Sequence, residues 1–380
     1  QLFQCYATSK DGRHWEKPNL GIIEFEGSNN NNIVIDQSKE DYGAWGSVFL
    51  DSHKSGNTRY KAIARQYMRS LEVNKAGIYV HTSPDGIHWK ISDRRVFPFS
   101  PDTANQAMWD TSLNKYVAYI RIWNPLRKIG RIEMDDILKP WPFTPNKRPY
   151  HIWGEDKIPV PSTEVATAFE YDDKDPVPSD HYNPAAIKYP WAQDAYFMFP
   201  SAYFHWPEPP IGKYSNEGLL DIQMAVSRDG IKYHRLDRRP YIGLSSEGAK
   251  DSKSLYMASG ILRKENKLMQ YYVGKEVAHG EQEGRSRIGS ICYALQRLDG
   301  FTSADAAYSG GEITTPKIRF KGNHLTLNLD ASALGSVKVG ILDEENKEIS
   351  EYSAANCDVI YGNSVDRTVT WKGKSSLSSL

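Results

Sequence analysis

The stretch Ser83-Pro84-Asp85-Gly86-Ile87-His88-Trp89 follows the strand-like run Gly77-Ile78-Tyr79-Val80-His81. Asp-Gly after such a run predicts a β-hairpin, because glycine supplies a positive φ and aspartate bonds the neighbouring backbone. The same pattern, Ser-x-Asp-Gly-x-x-aromatic, recurs at residues 9–15 and 227–233. A hairpin repeated along the chain indicates a fold that is built from repeated units.

Two degenerate copies extend the series to five hairpins, which end at Trp15, Trp89, Trp141, Tyr233 and Phe301. Upstream of each of the last four hairpins lie two further strand-like runs, for example 47–50 and 59–65 in the second unit. Four strands per unit and five hairpins predict an all-β chain with a five-bladed β-propeller at residues 1–305. The first unit shows only its last hairpin, so this blade is incomplete and we expect its inner strands before Gln1.

Residues 306–380 have a different texture, because the hairpin pattern stops and short strand-like runs follow one another without it. These runs lie at 326–330, 336–342 and 368–371, and the turn Asp343-Glu344-Glu345-Asn346 follows the second of them. This arrangement predicts a second domain at 306–380, a small β-sandwich that we expect to be truncated.

The composition excludes several classes of protein. Of the 380 residues, 39% are hydrophobic and 25% are charged, and 47 Lys and Arg balance 47 Asp and Glu. Disorder of the whole chain needs lower hydrophobicity and higher net charge, and a nucleic-acid binder is usually basic. No apolar run approaches the roughly 18 residues of a membrane span. We therefore expect no nucleic acid and no membrane span, and the sequence does not predict an oligomeric state.

The repeated hairpins, the blade that opens with Asp102-Thr103-Ala104-Asn105 and continues to Trp109-Asp110, and the jelly-roll-like tail resemble the propeller glycoside hydrolases of families 32 and 43. The resemblance implies a carbohydrate substrate and export to the periplasm or the cell exterior. It implies no cofactor, with one channel-bound structural cation, common in family 43, as an open alternative. The Trp-x-Asn-Asp-Pro-Asn, Arg-Asp-Pro and Glu-Cys motifs of family 32 are missing, and the first-blade carboxylate is expected before Gln1.

The direction of the strands predicts which residues lie at the ligand end of the propeller channel. Strands alternate in direction, so the starts of inner strands and the ends of second strands share one face, opposite the Asp-Gly hairpins. Asp102, Asp180 and Asp251 stand at the starts of inner strands in three successive blades. Glycoside cleavage needs two carboxyl groups, so we expect these aspartates to be catalytic, with Glu164 and Glu276 as outside candidates for the general acid.

Basic residues occupy matching positions at the ends of second strands, with Arg65, Arg121 and Lys275 in three blades and His205 in a fourth. One interpretation is a cationic ring for an anionic sugar, since arginine binds a carboxylate or sulfate in bidentate fashion. The other is that these cations neutralise the three aspartates. No metal-ligand spacing is visible. The expected substrate-binding residues are Trp45, Arg65, Asn105, Arg121, Trp123, Tyr182, Tyr203, His205, Lys275 and Glu276.

Two functions from different classes remain open on this sequence. The first is a glycoside hydrolase, expected to be exo-acting on an acidic or plant/algal-type glycan. The second is a non-catalytic propeller that binds glycans and lacks the first-blade carboxylate. A weaker third interpretation is a sialidase-like or lyase activity that uses the arginine cluster and a tyrosine.

Overall fold

The computed structural model describes residues 3–36, 45–66, 77–99, 101–102, 104–123, 125–143, 161–208, 213–281 and 289–380. Within these ranges the chain is all-β, with 22 strands, two single 3-10 turns at Gly56–Thr58 and Ser350–Tyr352, and no α-helix. The low helix content expected from the sequence is confirmed. None of the described segments is a helix long and apolar enough to span a membrane.

Two regular four-stranded sheets follow a short N-terminal pair of strands, β1 (Phe3–Cys5) and β2 (Ile33–Asp36). In each sheet the strands pair antiparallel in chain order, as the strand-like runs predict. The first sheet contains β3 (Trp45–Leu50), β4 (Tyr60–Gln66), β5 (Gly77–Ser83) and β6 (Arg95–Phe97). The second contains β7 (Gln106–Asp110), β8 (Lys115–Trp123), β9 (Arg127–Met134) and β10 (Ala166–Phe169).

The third sheet, which is the fourth unit of the sequence pattern, is interrupted along each of its strands. Its strands are β11 (Ser179–His181), β12 (Ala186–Lys188), β13 (Tyr196–Met198), β14 (Ser201–Glu208), β15 (Lys213–Ile222) and β16 (Ala225–Ser227). Strands β11, β14 and β15 pair with one another, and strands β12, β13 and β16 form a separate sheet. Each strand of one group is followed or preceded along the chain by a strand of the other, with a short break between them. Asp180 therefore lies inside strand β11, whereas the sequence placed it at the start of an inner strand.

The remaining strands are β17 (Ser254–Met257), β18 (Leu262–Lys264), β19 (Lys267–Lys275), β20 (Ser290–Arg297), β21 (Thr326–Asp330) and β22 (Asn363–Thr368). Strand β17 pairs with residues 272–275 of β19, and β21 pairs with β22. The chain divides into two compact units, Gln1–Gly260 with Tyr271–Tyr293, and Ile261–Gln270 with Ala294–Leu380. The five-blade count, the β-sandwich and the boundary near residue 305 stay predictions.

The three complete hairpins share one local structure. In the hairpin at Ser83, the serine Oγ accepts from the Gly86 N–H at 2.9 Å, and Asp85 Oδ1 accepts from the His88 N–H at 2.8 Å. The Gly86 φ of 80° lies in the left-handed region, as the turn requires. Each hairpin closes with one backbone bridge at the same spacing, Thr8 to Glu16, Thr82 to Lys90 and Val226 to His234.

Hydrophobic cores lie between successive sheets of the compact unit formed by Gln1–Gly260 and Tyr271–Tyr293. One core joins β4 and β5 to β8 and β9 through fully buried residues such as Ile63, Ile78 and Ile120. A second core joins β8 and β9 to β13 and β16 through Tyr119 and Met198, among others. The sheet β7–β10 contributes to both cores, so the hydrophobic effect holds it face to face with the sheets on either side.

Buried aspartates lock successive sheets together at one end of their inner strands. Asp51 follows β3 and accepts from the Tyr116 hydroxyl of the next sheet at 2.6 Å. Asp110 ends β7 and accepts from the Tyr196 hydroxyl of the next sheet at 2.7 Å. A lysine satisfies each carboxylate as well, Lys61 for Asp51 and Lys188 for Asp110. The repeated lock gives these two aspartates a structural role.

Candidate active site

Asp102 lies just before β7 and bridges two arginines from neighbouring sheets. Its Oδ1 accepts from Arg65 Nη1 at 2.6 Å, and its Oδ2 accepts from Arg121 Nη1. The carboxylate side chain is 11% exposed. Its backbone φ of 65° lies in the left-handed region, which costs a non-glycine residue of order 1–3 kcal/mol. The fold therefore holds this carboxylate in place at some expense of backbone strain.

Arg121 is fully buried, and its guanidinium donates hydrogen bonds to other groups of the protein. Besides the bond to Asp102, its Nε donates to the Tyr182 carbonyl at 2.8 Å, and its Nη2 donates to the same oxygen. Asn105 Oδ1 accepts from the Arg121 N–H at 3.1 Å. Since Arg65 and Arg121 both bind Asp102, the geometry favours neutralisation of an aspartate over a cationic ring for an anionic sugar.

Asp180 is the most deeply buried carboxylate of this region. Its Oδ2 contacts Arg127 Nη1 at 2.9 Å and His205 Nε2 at 3.3 Å. Its Oδ1 has no hydrogen-bond partner among the described residues. Burial acts to raise the pKa of Asp180, but the hydrogen bond to His205 and the charge of Arg127 outweigh it and lower the pKa. The result is a buried carboxylate that stays ionised and has one oxygen that is shielded from solvent and has no partner among the described residues.

Tyr182 lies between these two ion pairs and joins them. The Arg121 guanidinium lies 3.9 Å from the centroid of the Tyr182 ring, and the Arg127 guanidinium lies 5.8 Å from it. The Tyr203 ring is 6.1 Å away, and it also lies 3.9 Å from the His205 ring. Aromatic rings beside carboxylates are the groups that stack on sugar faces, so this cluster has the composition of a carbohydrate site.

Sequence reasoning missed three residues of the cluster, namely Arg127, Tyr256 and His279. Arg127 starts β9, and the starts of third strands share the face assigned to the ends of second strands, so strand polarity could have found it. The Tyr256 hydroxyl lies 2.6 Å from His279 Nδ1, and the His279 ring lies 4.5 Å from the Tyr182 ring. His279 follows β19 in a loop, and no sequence pattern marks it.

Lys275 and Trp123 join the same cluster. The Lys275 ammonium lies 5.7 Å from the centroid of the Tyr256 ring, and burial lowers the pKa of this lysine. The Trp123 ring is buried, 5.5 Å from the Arg121 guanidinium. Trp123 therefore packs behind the arginine. The side chain of Trp45 lies outside the described residues.

Asp251 and Glu276 lie outside the contacts that join Asp102 to Asp180. Asp251 Oδ2 accepts from the Tyr272 hydroxyl at 2.8 Å, and a Cβ on Gly274 would meet Asp251. Gly274 faces away from Lys275, its neighbour on β19, so Asp251 lies on the opposite face of the sheet from the cluster. Glu276 accepts from Lys250 and is partly exposed. We therefore leave both residues out of the proposed site. Glu164 bonds Ser162 at 3.0 Å within its own loop.

The site does not fit a bound cation. The described residues contain no group of three His, Cys, Asp or Glu side chains able to hold a metal ion. Asp102 is held between two guanidinium groups, and Asp180 is held by Arg127 and His205. Positive side chains thus take the places that a metal ion would occupy, and we derive no step through a channel-bound cation.

Comparisons with known proteins retrieve solved structures of glycoside hydrolases. One described as "Glycoside hydrolase" has 13% identity and a TM-score of 0.45, covering 83% of this chain and 81% of its own. The GH93 alpha-L-arabinofuranosidase of Fusarium graminearum has 14% identity and a TM-score of 0.40, covering 77% and 84%. The alpha-L-arabinanase of Penicillium chrysogenum has 11% identity and a TM-score of 0.36, covering 73% and 84%.

No family model matches the chain, and no curated protein matches it. These three retrieved structures are glycoside hydrolases, the class that the sequence motifs resemble. At these TM-scores the likeness assigns neither a substrate nor a set of catalytic residues to this chain. The geometry of the cluster around Asp102 and Asp180 must carry any assignment of function.

Proposed function

We propose that this chain is a glycoside hydrolase whose site is formed by Asp180, Asp102 and the aromatic side chains around Tyr182. The observation that carries the proposal is Asp180, a buried carboxylate with a lowered pKa and one oxygen that has no partner among the described residues. An ionised carboxylate beside a sugar can activate a water molecule or attack the anomeric carbon. The ion pairs of Asp102 with Arg65 and Arg121 hold the Arg121 guanidinium beside the Tyr182 ring and so fix one side of the site.

The substrate that suits this site is a neutral sugar of a plant/algal-type glycan, cleaved from a chain end outside the cell or in the periplasm. An acidic sugar would need an arginine that is open to it, and the Arg121 guanidinium is instead engaged by Asp102 and Tyr182. The partly exposed rings of Tyr182 and Tyr256 supply apolar surface for a sugar. The same engagement of Arg121 weakens the sialidase-like interpretation.

One observation favours a second candidate, a propeller that binds glycans without cleaving them. Cleavage also needs a carboxylic acid that gives a proton to the leaving oxygen. Both carboxylates of the described site are paired with cationic side chains, and such pairing favours the ionised form. A glycan could therefore bind among the tyrosines with no proton donor in place.

The test is a screen of the chain against p-nitrophenyl glycosides of neutral and acidic sugars, followed by Asp180→Asn. We expect hydrolysis of a neutral glycoside and a loss of roughly 100- to 1000-fold in kcat on substitution. Asp251→Asn is the matched control, since it removes a carboxylate on the opposite face, and its kcat should stay near that of the wild type. Circular dichroism checks that both variants fold.

The outcomes separate the two candidates. Hydrolysis that Asp180→Asn leaves unchanged would refute the assigned site. Glycan binding without hydrolysis, if Asp180→Asn abolishes it, would establish the binding protein instead. Faster cleavage of uronic or sialic glycosides than of neutral ones would overturn the proposed substrate class.

A further inference from the structure

Tyr256 and His279 form a hydrogen-bonded pair among the tyrosine rings of the site. The Tyr256 hydroxyl lies 2.6 Å from His279 Nδ1. Burial and the neighbouring Tyr182 raise the pKa of Tyr256, so its hydroxyl keeps its proton and is able to donate to Nδ1. Burial lowers the pKa of His279 to about 4, so the imidazole is neutral near pH 7. When the Tyr256 hydroxyl donates to Nδ1, the single proton of the neutral ring is on Nε2.

Charged groups on every side of His279 support this neutral form. The positive charges of Arg127, Arg121 and Lys275 lower its pKa further, and Asp102 acts in the opposite direction. Since three cations outweigh one carboxylate, a proton added to the ring would be repelled. The imidazole is therefore a neutral N–H donor within the electrostatic reach of both ion pairs of the site.

His279 is held among the tyrosine rings of the cluster. Its backbone pairs with Gly218, with its N–H 2.9 Å from the Gly218 oxygen. Its ring lies 4.5 Å from the Tyr182 ring and 4.9 Å from the Tyr203 ring, edge to face in both cases. Its Nε2 makes no hydrogen bond to the described residues. A polar N–H in an aromatic setting is the arrangement that orients a ligand oxygen.

We propose that His279 donates its Nε2–H to an oxygen of the sugar, and that Tyr256 is a positioning residue that fixes this tautomer. The inference rests on the proposed function and extends it, because it names the group that orients the substrate. A neutral donor is suited to a hydroxyl, ring or glycosidic oxygen of a neutral sugar. It would distinguish such a sugar from one that presents only an apolar face.

The first test observes the tautomer directly and requires no activity. Long-range 1H–15N spectra of the folded chain, with His279 assigned from the signals lost in His279→Gln, should show protonation at Nε2 only between pH 5.5 and 8. Tyr256→Phe should mix the two tautomers, since Nδ1 then loses its donor. Tyr271→Phe is the matched control, because its hydroxyl bonds the Gly12 oxygen instead. A wild-type ring protonated at Nδ1, or doubly protonated at pH 6, would overturn the proposal.

The second test measures binding of the neutral p-nitrophenyl glycosides. Tyr256→Phe should raise KM about 5- to 10-fold, the loss of roughly one hydrogen bond's orientation, with kcat changed less than KM. His279→Ala should raise KM further, and His279→Gln should recover part of the loss because its amide donates from a similar position. Equal KM values for Tyr256→Phe and Tyr271→Phe would refute the positioning role. If Asp180→Asn leaves hydrolysis unchanged while the tautomer is as expected, the proposed function fails and the fixed tautomer stands.

Discussion

Asp180 and His181 are neighbours on strand β11, equally buried, and they face opposite sides of the sheet. Asp180 lies on the face that carries the candidate site, which we call the front. There it has partners in Arg127 and His205, and its pKa is lowered. On the rear, neither ring nitrogen of His181 has a partner among the described residues. Burial, reinforced by the charge of Arg235, lowers the pKa of His181 to about 4. Burial alone thus removes charge, and burial with partners preserves it.

A second aspartate sharpens the contrast on the rear side. Asp221 pairs in register with Ala202, and Ala202 pairs with His181, so the two titratable side chains share one face. Burial raises the pKa of Asp221 to about 6, although Gln223 bonds the carboxylate. Its Oδ1 has no partner in the described part of the chain. Asp180 is buried with Arg127 and His205 as partners and its pKa is lowered, whereas the partly buried Asp221 is bonded by Gln223 and its pKa is raised.

The largest expected effect comes from breaking the ion pairs of the front. Arg121→Leu should destabilise the chain by about 3–5 kcal/mol, because it leaves Asp102 with a missing partner in a buried site. Arg65→Leu removes the other, more exposed partner and should cost less. Urea denaturation of both variants measures the difference. An equal or larger loss for Arg65→Leu would show that the buried arginine is not the main support of Asp102.

On the rear face, removal of a charged group should stabilise the chain. A raised pKa in the folded state contributes stability below the ordinary pKa of 3.8, and this contribution is lost as the pH rises through about 6. Asp221→Asn should therefore stabilise the chain by about 2 kcal/mol at pH 8 and change little at pH 4. Urea midpoints at the two pH values test this. A loss of stability at pH 8 would mean that Asp221 has partners in solution that satisfy it.

His181 should show the reverse dependence on pH. Its lowered pKa contributes stability above the ordinary value of 6.5, and this contribution is lost as the pH falls towards 4. His181→Leu, which keeps the contact with Phe169, should raise stability by about 1–2 kcal/mol at pH 5, with a smaller gain at pH 8. Thermal melting at both values measures it, and a gain that is equal at both would exclude titration of His181 as the cause.

The smallest change in stability is expected for a pair that is hydrogen-bonded but exposed to solvent. His88 bonds Asp85 in an exposed hairpin, with Nδ1 2.7 Å from Oδ2. His88→Ala should change stability by only about 0.5 kcal/mol, since water screens an exposed pair. A loss comparable with that of Arg121→Leu would break the rule that burial and partners act together.

The hairpins and the two regular sheets could be predicted from sequence because their determinants are local. Asp85 and Gly86 specify their turn within a few residues, and alternating runs specify the strands around them. The cluster could be predicted in part, since strand polarity placed Asp102, Asp180 and Arg121 on one face. The direction of Asp251 could not, because it depends on Gly274, which is distant in sequence. The break in the third sheet, between β11 and β12 at residues 182–185, likewise depends on packing between sheets.

The Ser-x-Asp-Gly hairpins have a consequence for how such a chain can arise. Ser227 Oγ donates to Asp229 Oδ1 at 2.8 Å and accepts from the Gly230 N–H at 2.9 Å, so these groups are satisfied within the turn. A gene segment duplicated in tandem with this turn inherits a bend whose side chains already bond its own backbone. Copies can then diverge freely at the opposite ends of their strands, where residues such as Asp180 and His279 meet. The turn preserves the hairpin in each copy, and the opposite ends of the strands are free to acquire the residues of a site.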